Sequence, residues 1–190
     1  MSTFYIADLH FGHKNALSYD DREFASIEEH DEELINRWNS VVGIEDDVWV
    51  LGDISWYSAT KTIAIFERLN GTKHLCIGNH DRKLLRNPKV RDLFCEIVEY
   101  KEITFDDGCG IVLSHWPITC FNNHYRGWYH LYGHVHTSFE WNLMKKNKYD
   151  METLYEKPCN MFNVGCMVPG MNYTPKTLTE IRQIFATEST

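Results

Sequence analysis

Short apolar runs alternate with polar loops along the chain, and the loops hold the residue types that carry chemistry. Phe4 to Ala7 reads as a short buried strand that stops abruptly at Asp8-Leu9-His10-Phe11-Gly12-His13. Ser26 followed by Glu29 has capping-box spacing. Ile27, Leu34, Ile35 and Trp38 then recur near helical spacing, which predicts a surface helix whose Glu28-Glu29 and Asp31-Glu32-Glu33 stretches face solvent. Val48 to Leu51 is a second compact strand ending at Gly52-Asp53, and Ile63, Phe66 and Leu69 mark a helix face closed by Asn70-Gly71. His74 to Ile77 is a third strand, finishing in Gly78-Asn79-His80-Asp81. Three strand-to-polar-loop units separated by helices predict an α/β fold with its ligand site beyond the strand carboxyl ends.

The pattern then changes. Between Ile97 and Ser114 two β-type runs meet at Asp106-Asp107-Gly108, a turn signal that predicts a hairpin and antiparallel pairing. Further strands are expected at Tyr129 to Tyr132 and Met161 to Val164, which gives a second sheet in the C-terminal half. Thr177 and Glu180 repeat the capping-box spacing before a last helix marked by Ile181, Ile184 and Phe185. Residues 138 to 160 show no clear period, and Lys145-Lys146-Asn147-Lys148 is expected to be a solvated loop.

Composition narrows the class. Apolar residues make up 43% and charged residues 24%, ordinary for a globular chain, and 190 residues predict a single domain spanning 1–190. No run approaches the roughly 20 apolar residues that span a bilayer, and the start lacks a basic segment with a signal core. A cytoplasmic protein with no membrane partner is expected. Nineteen Lys and Arg against 27 Asp and Glu give a net charge of -8, which disfavours long nucleic acid as a partner, although a metal-filled cleft could invert the sign locally. Six cysteines without a C-x-x-C pair predict mostly buried, reduced thiols.

The polar loops share one chemistry. Asp8 and His10, two apart, leave the same face of an extended strand end. Asp53 and Asn79-His80 each follow a glycine after a strand; Ser114-His115 ends another, and Gly133-His134-Val135-His136 places two imidazoles on one face. Asp8, His10, Asp53, Asn79, His115, His134 and His136 form a nitrogen and oxygen donor set with no thiolate, suited to manganese, iron, zinc or nickel. Seven donors including an aspartate able to bridge exceed the four of a structural zinc site and predict two metal ions.

In order, Asp8-Leu9-His10, Gly52-Asp53, Gly78-Asn79-His80-Asp81, Ser114-His115 and Gly133-His134-Val135-His136 resemble the signature of the calcineurin-like metallophosphoesterases. Phe11-Gly12-His13, Arg37-Trp38-Asn39, Asn163-Val164-Gly165 and Asn172-Tyr173-Thr174-Pro175 are similar to a small bacterial and phage subgroup. The resemblance implies a metallo-dependent phosphatase-like fold, a four-layer αββα sandwich of two mixed β-sheets flanked by helices. It implies that Asp8, His10 and His136 hold one divalent ion, Asn79, His115 and His134 the other, and that Asp53 bridges them, with manganese the expected ion. His80 falls at the family position that faces substrate, and Asp81 at that of its supporting carboxylate.

The expected reaction is hydrolysis of a phosphoric ester, first a small phosphodiester, by hydroxide bridging the two ions. His80 is the candidate to protonate the departing oxygen, with Asp81 fixing its tautomer. A phosphomonoesterase is the alternative, and a metal-containing protein-binding scaffold the different-class reading. His13, His124 and Arg126 are candidate substrate contacts, as is Arg22, because positive charge would favour phosphate. Trp116, Tyr125, Trp128 and Tyr129 could stack a base, but ordinary packing of amphipathic rings carries more weight. A small phosphate ester is the expected partner.

Overall fold

The apolar runs become strands that stop in step at one edge of the molecule. The computed structural model describes residues 1–186. In the first sheet β1 (Thr3–Ile6), β2 (Asp47–Val50), β3 (Thr72–Cys76) and β4 (Glu96–Val98) are parallel neighbours, and β9 (Lys176–Thr177) adds an antiparallel edge beside β1. In the second sheet β5 (Tyr100–Thr104) pairs antiparallel with β6 (Gly110–Ser114). From there β7 (Tyr129–Tyr132) and β8 (Asn160–Asn163) continue in parallel. Both sheets are mixed and flanked by helices, in the four-layer α/β arrangement. Ile6, Val48, Val50, Leu75, Ile111, Val112, Leu113 and Leu131 are fully buried, as strands covered on both faces require.

The two sheets are stitched where their parallel strands end. The Ala7 amide donates to the Val164 carbonyl (2.9 Å), and the Cys166 amide donates to the Ala7 carbonyl (2.9 Å). All the donor-bearing loops therefore emerge from one seam. Two helices frame the first sheet, α2 (Ile27–Val41) and α3 (Ala59–Phe66), after a short α1 (Lys14–Tyr19). Ser26 caps α2 as predicted, accepting from Glu29 N–H at 3.1 Å, but the Glu29 carboxylate takes the Ala25 amide (2.7 Å) instead of the Ser26 amide, so the reciprocal half of the box shifts by one residue. Asp31 departs from the expected solvated face: it is buried and accepts from the Gly12 amide at 3.2 Å.

Three other expectations change. Residues 138 to 160 are mostly helix, α5 (Phe139–Tyr155), a fifth helix after the short α4 (Pro88–Arg91), so Lys145 to Lys148 are helical and not a loop. Ser138 caps α5 by accepting from Glu140 N–H, while only Trp141 and Met151 are buried on it. A helix with so narrow a buried face leaves no readable period. The hairpin forms around residues 106–108 with β5 and β6 antiparallel as expected, but Ile97-Val98, at the start of its predicted first arm, belong to the first sheet. Of the six free cysteines, Cys76, Cys159 and Cys166 are buried, while Cys95 and Cys120 are exposed. The chain closes with α6 (Leu178–Ala186), capped by the predicted Thr177 and Glu180 pair. No helix among the described residues is long and apolar enough to cross a membrane.

Candidate metal centre

Five of the seven candidate donors sit in the left-handed backbone region: Asp8 (φ 56°), His10 (51°), Asp53 (55°), His134 (69°) and His136 (48°). Side-chain-bearing residues adopt it at a cost, and they stay there only where the surroundings hold them. Here backbone hydrogen bonds between loops do so. Asp8 N–H donates to the Gly52 carbonyl (3.1 Å), His10 N–H to the Asp53 carbonyl (3.0 Å) and Gly133 N–H to the His115 carbonyl (3.0 Å). Gly52 (φ 87°) lies so near the loop after β3 that a Cβ would come 2.7 Å from Gly78, so the loops can converge only with glycine there.

One group of donors is compact. Asp8, His10, Asp53 and His136 each offer an atom within 4.8 Å of the others'. His10 Nε2 and His136 Nε2 face each other at 3.1 Å, with His10 Nε2 3.8 Å from Asp53 Oδ2 and His136 Nε2 3.9 Å from Asp8 Oδ1. On its far side the His136 ring hydrogen-bonds through Nδ1 to the Asp20 carboxylate at 2.8 Å.

A second group surrounds Asn79. Its Oδ1 lies 2.9 Å from His115 Nε2 and 2.9 Å from His134 Nδ1, and His115 Nε2 is 3.7 Å from Asp53 Oδ1. His115 Nδ1 donates to the Leu51 carbonyl at 2.8 Å, which leaves an Nε2 lone pair directed at the oxygens of Asn79 and Asp53. The two oxygens of Asp53 thus face different donor groups.

The charge balance fits cations. Asp8 and Asp53 are buried, and their carboxylates accept backbone N–H groups of His134 (3.0 and 3.1 Å) and His80 (3.0 Å). No lysine or arginine pairs with either among the described residues, and burial pushes the Asp53 carboxyl up, so a cation is the partner that burial still demands. Burial holds His10 well below the ordinary imidazole range, and burial with neighbouring His115 lowers His134, so both present neutral nitrogens. Burial also opposes charge on His136, but the bond to Asp20 and the proximity of Asp8 outweigh it and raise its pKa. His10 Nδ1 is buried without a hydrogen-bond partner among the described residues. Imidazole nitrogens crowded against one another, beside buried carboxylates without a cationic side-chain partner, are a donor set that divalent first-row ions satisfy.

A cavity of about 390 Å³ opens over these donors, and His13, Tyr19, Trp56 and His80 line it. His80 is half exposed, its Nε2 4.0 Å from Asp53 Oδ2 and its ring 4.2 Å from that of Trp56. His13 stacks flat on Trp56 (3.9 Å, 6°), and its Nδ1 bonds to the Tyr19 hydroxyl at 3.0 Å. Asp81 does not meet the His80 ring. It is buried beneath the loops and accepts from the amides of Gly78 (2.8 Å), Ile54 (2.9 Å) and Asp53 (3.0 Å), tying the loops after β2 and β3 together.

His124 and Arg126 are not brought here. They form a short turn before β7, at the end of that strand opposite His134, and line other cavities with Lys157. Arg22 is buried behind the site instead of at its mouth, donating to Asp20 (2.8 Å) and to the carbonyls of Asp8 (3.1 Å) and Leu9 (3.2 Å). Tyr19, Asp20 and Trp56 are the residues that sequence reasoning missed. Asp20 lies in the Asp20-Asp21-Arg22 cluster, the one local hint, while nothing marks Trp56 beyond its place shortly after Asp53.

The sequence profile described as calcineurin-like phosphoesterase matches residues 1–162. The chain is 34% identical over 135 residues to an uncharacterized protein of Methanocaldococcus jannaschii, a match covering 70% of this chain and 68% of that one. It is also similar to the Gene 66 proteins of Mycobacterium phages L5 (43% over 84 residues, 42% of this chain and 40% of that one) and D29 (34% over 130 residues, 61% and 64%). The matched stretches thus span about two thirds of the archaeal relative and less of the phage ones. A solved structure of a protein of unknown function from Aquifex aeolicus superposes with a TM-score of 0.70 at 24% identity, over 95% of this chain and 97% of that one, and shares the fold.

Proposed function

The chain belongs to the calcineurin-like phosphoesterase family, and we propose that it hydrolyses a small phosphoric ester, a diester first, at a two-metal centre. The observation that carries the reading is the double face of Asp53: Oδ2 lies toward His10 and Oδ1 toward His115, as a carboxylate shared by two ions requires. Asp8, His10 and His136 would hold one ion, and Asn79, His115 and His134 the other. The N/O donor set suits manganese, with iron, zinc or nickel fitting the same atoms. The phage matches support placing the chain with small bacterial and phage members of the family.

Two divalent ions, when bound, make a nucleophilic water available at neutral pH and neutralise phosphoryl oxygens. The chain's own residues do the rest. Leu51 O fixes the His115 tautomer and Asp20 orients His136, so that both rings present Nε2 to the centre. Asp81 keeps Asp53 and Asn79 in register by holding three amides. His80, over Asp53 and open to the cavity, holds a proton at Nε2 for the departing ester oxygen. With Nδ1 bound to Tyr19, His13 can turn Nε2 to a phosphoryl oxygen.

The test is hydrolysis of bis(p-nitrophenyl) phosphate by protein stripped of metal and reloaded with Mn²⁺, with metal content measured alongside. Activity should return with the ions, and His80→Ala should retain them while losing on the order of 10²–10⁴ in kcat. Full activity in His80→Ala would remove His80 from the mechanism. No turnover of this diester or of p-nitrophenyl phosphate with two ions bound would overturn the phosphoesterase reading.

A further inference from the structure

The cavity over the donors is small and, for a phosphate site, poor in cations. Its volume of about 390 Å³ suits a small molecule. No lysine or arginine lines it among the described residues. Arg22 reaches the donor loop only from behind, 3% exposed, with its N–H groups engaged by Asp20, by two carbonyls and by His30 at 2.9 Å. A monoester dianion, a polyphosphate or a nucleic-acid strand would bring further negative charge with no guanidinium or ammonium to meet it. A diester brings one charge per phosphorus.

What the rim offers instead is aromatic surface. Tyr19 and Trp56 line the cavity on the His10 side, and Trp116 leans on His134 on the other, ring centroids 4.1 Å apart. All three stay substantially in water, Tyr19 53%, Trp56 38% and Trp116 48% exposed, and all three lie within ring contact of the histidines of the site. Trp56 is held by its stack on His13, and the Trp116 backbone is held by its N–H bond to Ser114 Oγ at 3.2 Å. Fixed, wet aromatic rings on either side of a catalytic cleft are stacking platforms.

We infer that the substrate is a small phosphodiester carrying a planar, nucleobase-like group that packs on Trp116, with Trp56 and Tyr19 closing the other side of the mouth. This rests on the phosphoesterase reading and names its substrate class. Trp116 sets specificity here; it donates nothing to the reacting atoms. Because it is half exposed, its removal leaves no cavity in the core.

Thymidine 5′-methyl phosphate and its abasic counterpart, 1,2-dideoxyribose 5-methyl phosphate, are both singly charged diesters with poor alkoxide leaving groups, and they differ in the planar group. Calorimetry on the Mn²⁺-loaded protein should show the first binding at least about tenfold more tightly. Trp116→Ala should abolish most of that advantage and Trp116→Phe restore it. Equal affinities in the unaltered protein, or an advantage that survives Trp116→Ala, would overturn the inference. So would tighter binding of thymidine 5′-monophosphate than of its methyl diester, which would show that the site prefers the dianion. Since these are binding measurements, loss of bis(p-nitrophenyl) phosphate turnover with base-dependent binding intact would sink the proposed reaction and leave the recognition standing.

Discussion

The two ends of β7 bear similar side chains and do opposite things. At its carboxyl end stand His134 and His136; just before its amino end stand His124 and Arg126, and both ends are surrounded by tyrosine and tryptophan. At the first, imidazoles meet buried carboxylates in a strained backbone. At the second, cations lie over rings in open grooves: Arg126 sits 5.5 Å over Tyr125 and Arg182 5.4 Å over Tyr129. A larger cavity of about 520 Å³ on that side, between α5, β8 and α6, brings Lys148 and Arg182 together without a metal-ligating cluster among the described residues. Direction along the strand, and not residue type, separates a reactive centre from a decorated surface.

The strongest break of the contrast is Asp53→Asn. It removes the carboxylate proposed to bridge the two ions, so metal content should fall from two ions per chain to one or fewer and kcat by on the order of 10³-fold or more. Elemental analysis beside the rate checks both. A variant that keeps two tightly held ions would mean that Asp53 does not bridge.

His130, midway along β7, sharpens the comparison because it is a histidine with a purely structural setting. Its Nδ1 donates to the Val112 carbonyl (3.1 Å) and its Nε2 accepts from Ile118 N–H (3.0 Å), and burial pushes its pKa down to about 4. The unfolded chain, with an imidazole near 6.5, binds the proton first as pH falls. The neutral ring therefore contributes fully above pH 6.5, and up to about 3 kcal/mol is lost as pH drops from 6.5 toward 4. Denaturant midpoints across that window should fall, less steeply in His130→Gln, and NMR should show no protonation of this ring at pH 6. A ring that titrates near 6.5 in the folded protein contradicts the assignment.

Asp20→Asn is the next step down. It keeps a polar group beside His136 but withdraws the charge that orients the ring, so affinity for one of the two ions should weaken about 10–100-fold while the second is held. Stepwise Mn²⁺ titration resolves the two events. Equal weakening of both ions, or of neither, would show that Asp20 supports the fold instead of one half of the centre.

Much of this was legible in the chain because parallel strands give short, continuous apolar runs, and each run stops where its chemistry begins. Asp8, Asp53 and His115 announce themselves by following such runs. The caps at Ser26 and Thr177 were equally readable, since a cap is a local hydrogen bond between residues three apart. What stayed hidden depends on distance. Asp20 meets His136 across 116 positions, and Asp81 grips amides rather than the neighbouring imidazole because its loop turns the carboxylate inward. The helix α5 escaped notice for another reason: it buries two side chains and leaves Phe139, Leu143, Tyr149 and Leu154 exposed, so hydrophobicity carries no period there.

The smallest expected effects test the same lesson from the other end of β7. By residue type His124 and Arg126 are natural phosphate contacts, yet they lie before β7 and the donors follow it. A side chain at that end touches neither the reacting ester nor a group that positions it. His124→Ala and Arg126→Ala should therefore each leave kcat/KM for the diester within about twofold, whatever stability is lost with the contacts of His124 to Tyr125 and Tyr155 and of Arg126 to Tyr125. His13→Ala, by contrast, removes a ring that lines the cavity and stacks on Trp56, so it should raise KM. If Arg126→Ala raised KM as much as His13→Ala, the substrate would have to reach from one end of the strand to the other, and the division drawn between the two ends would collapse.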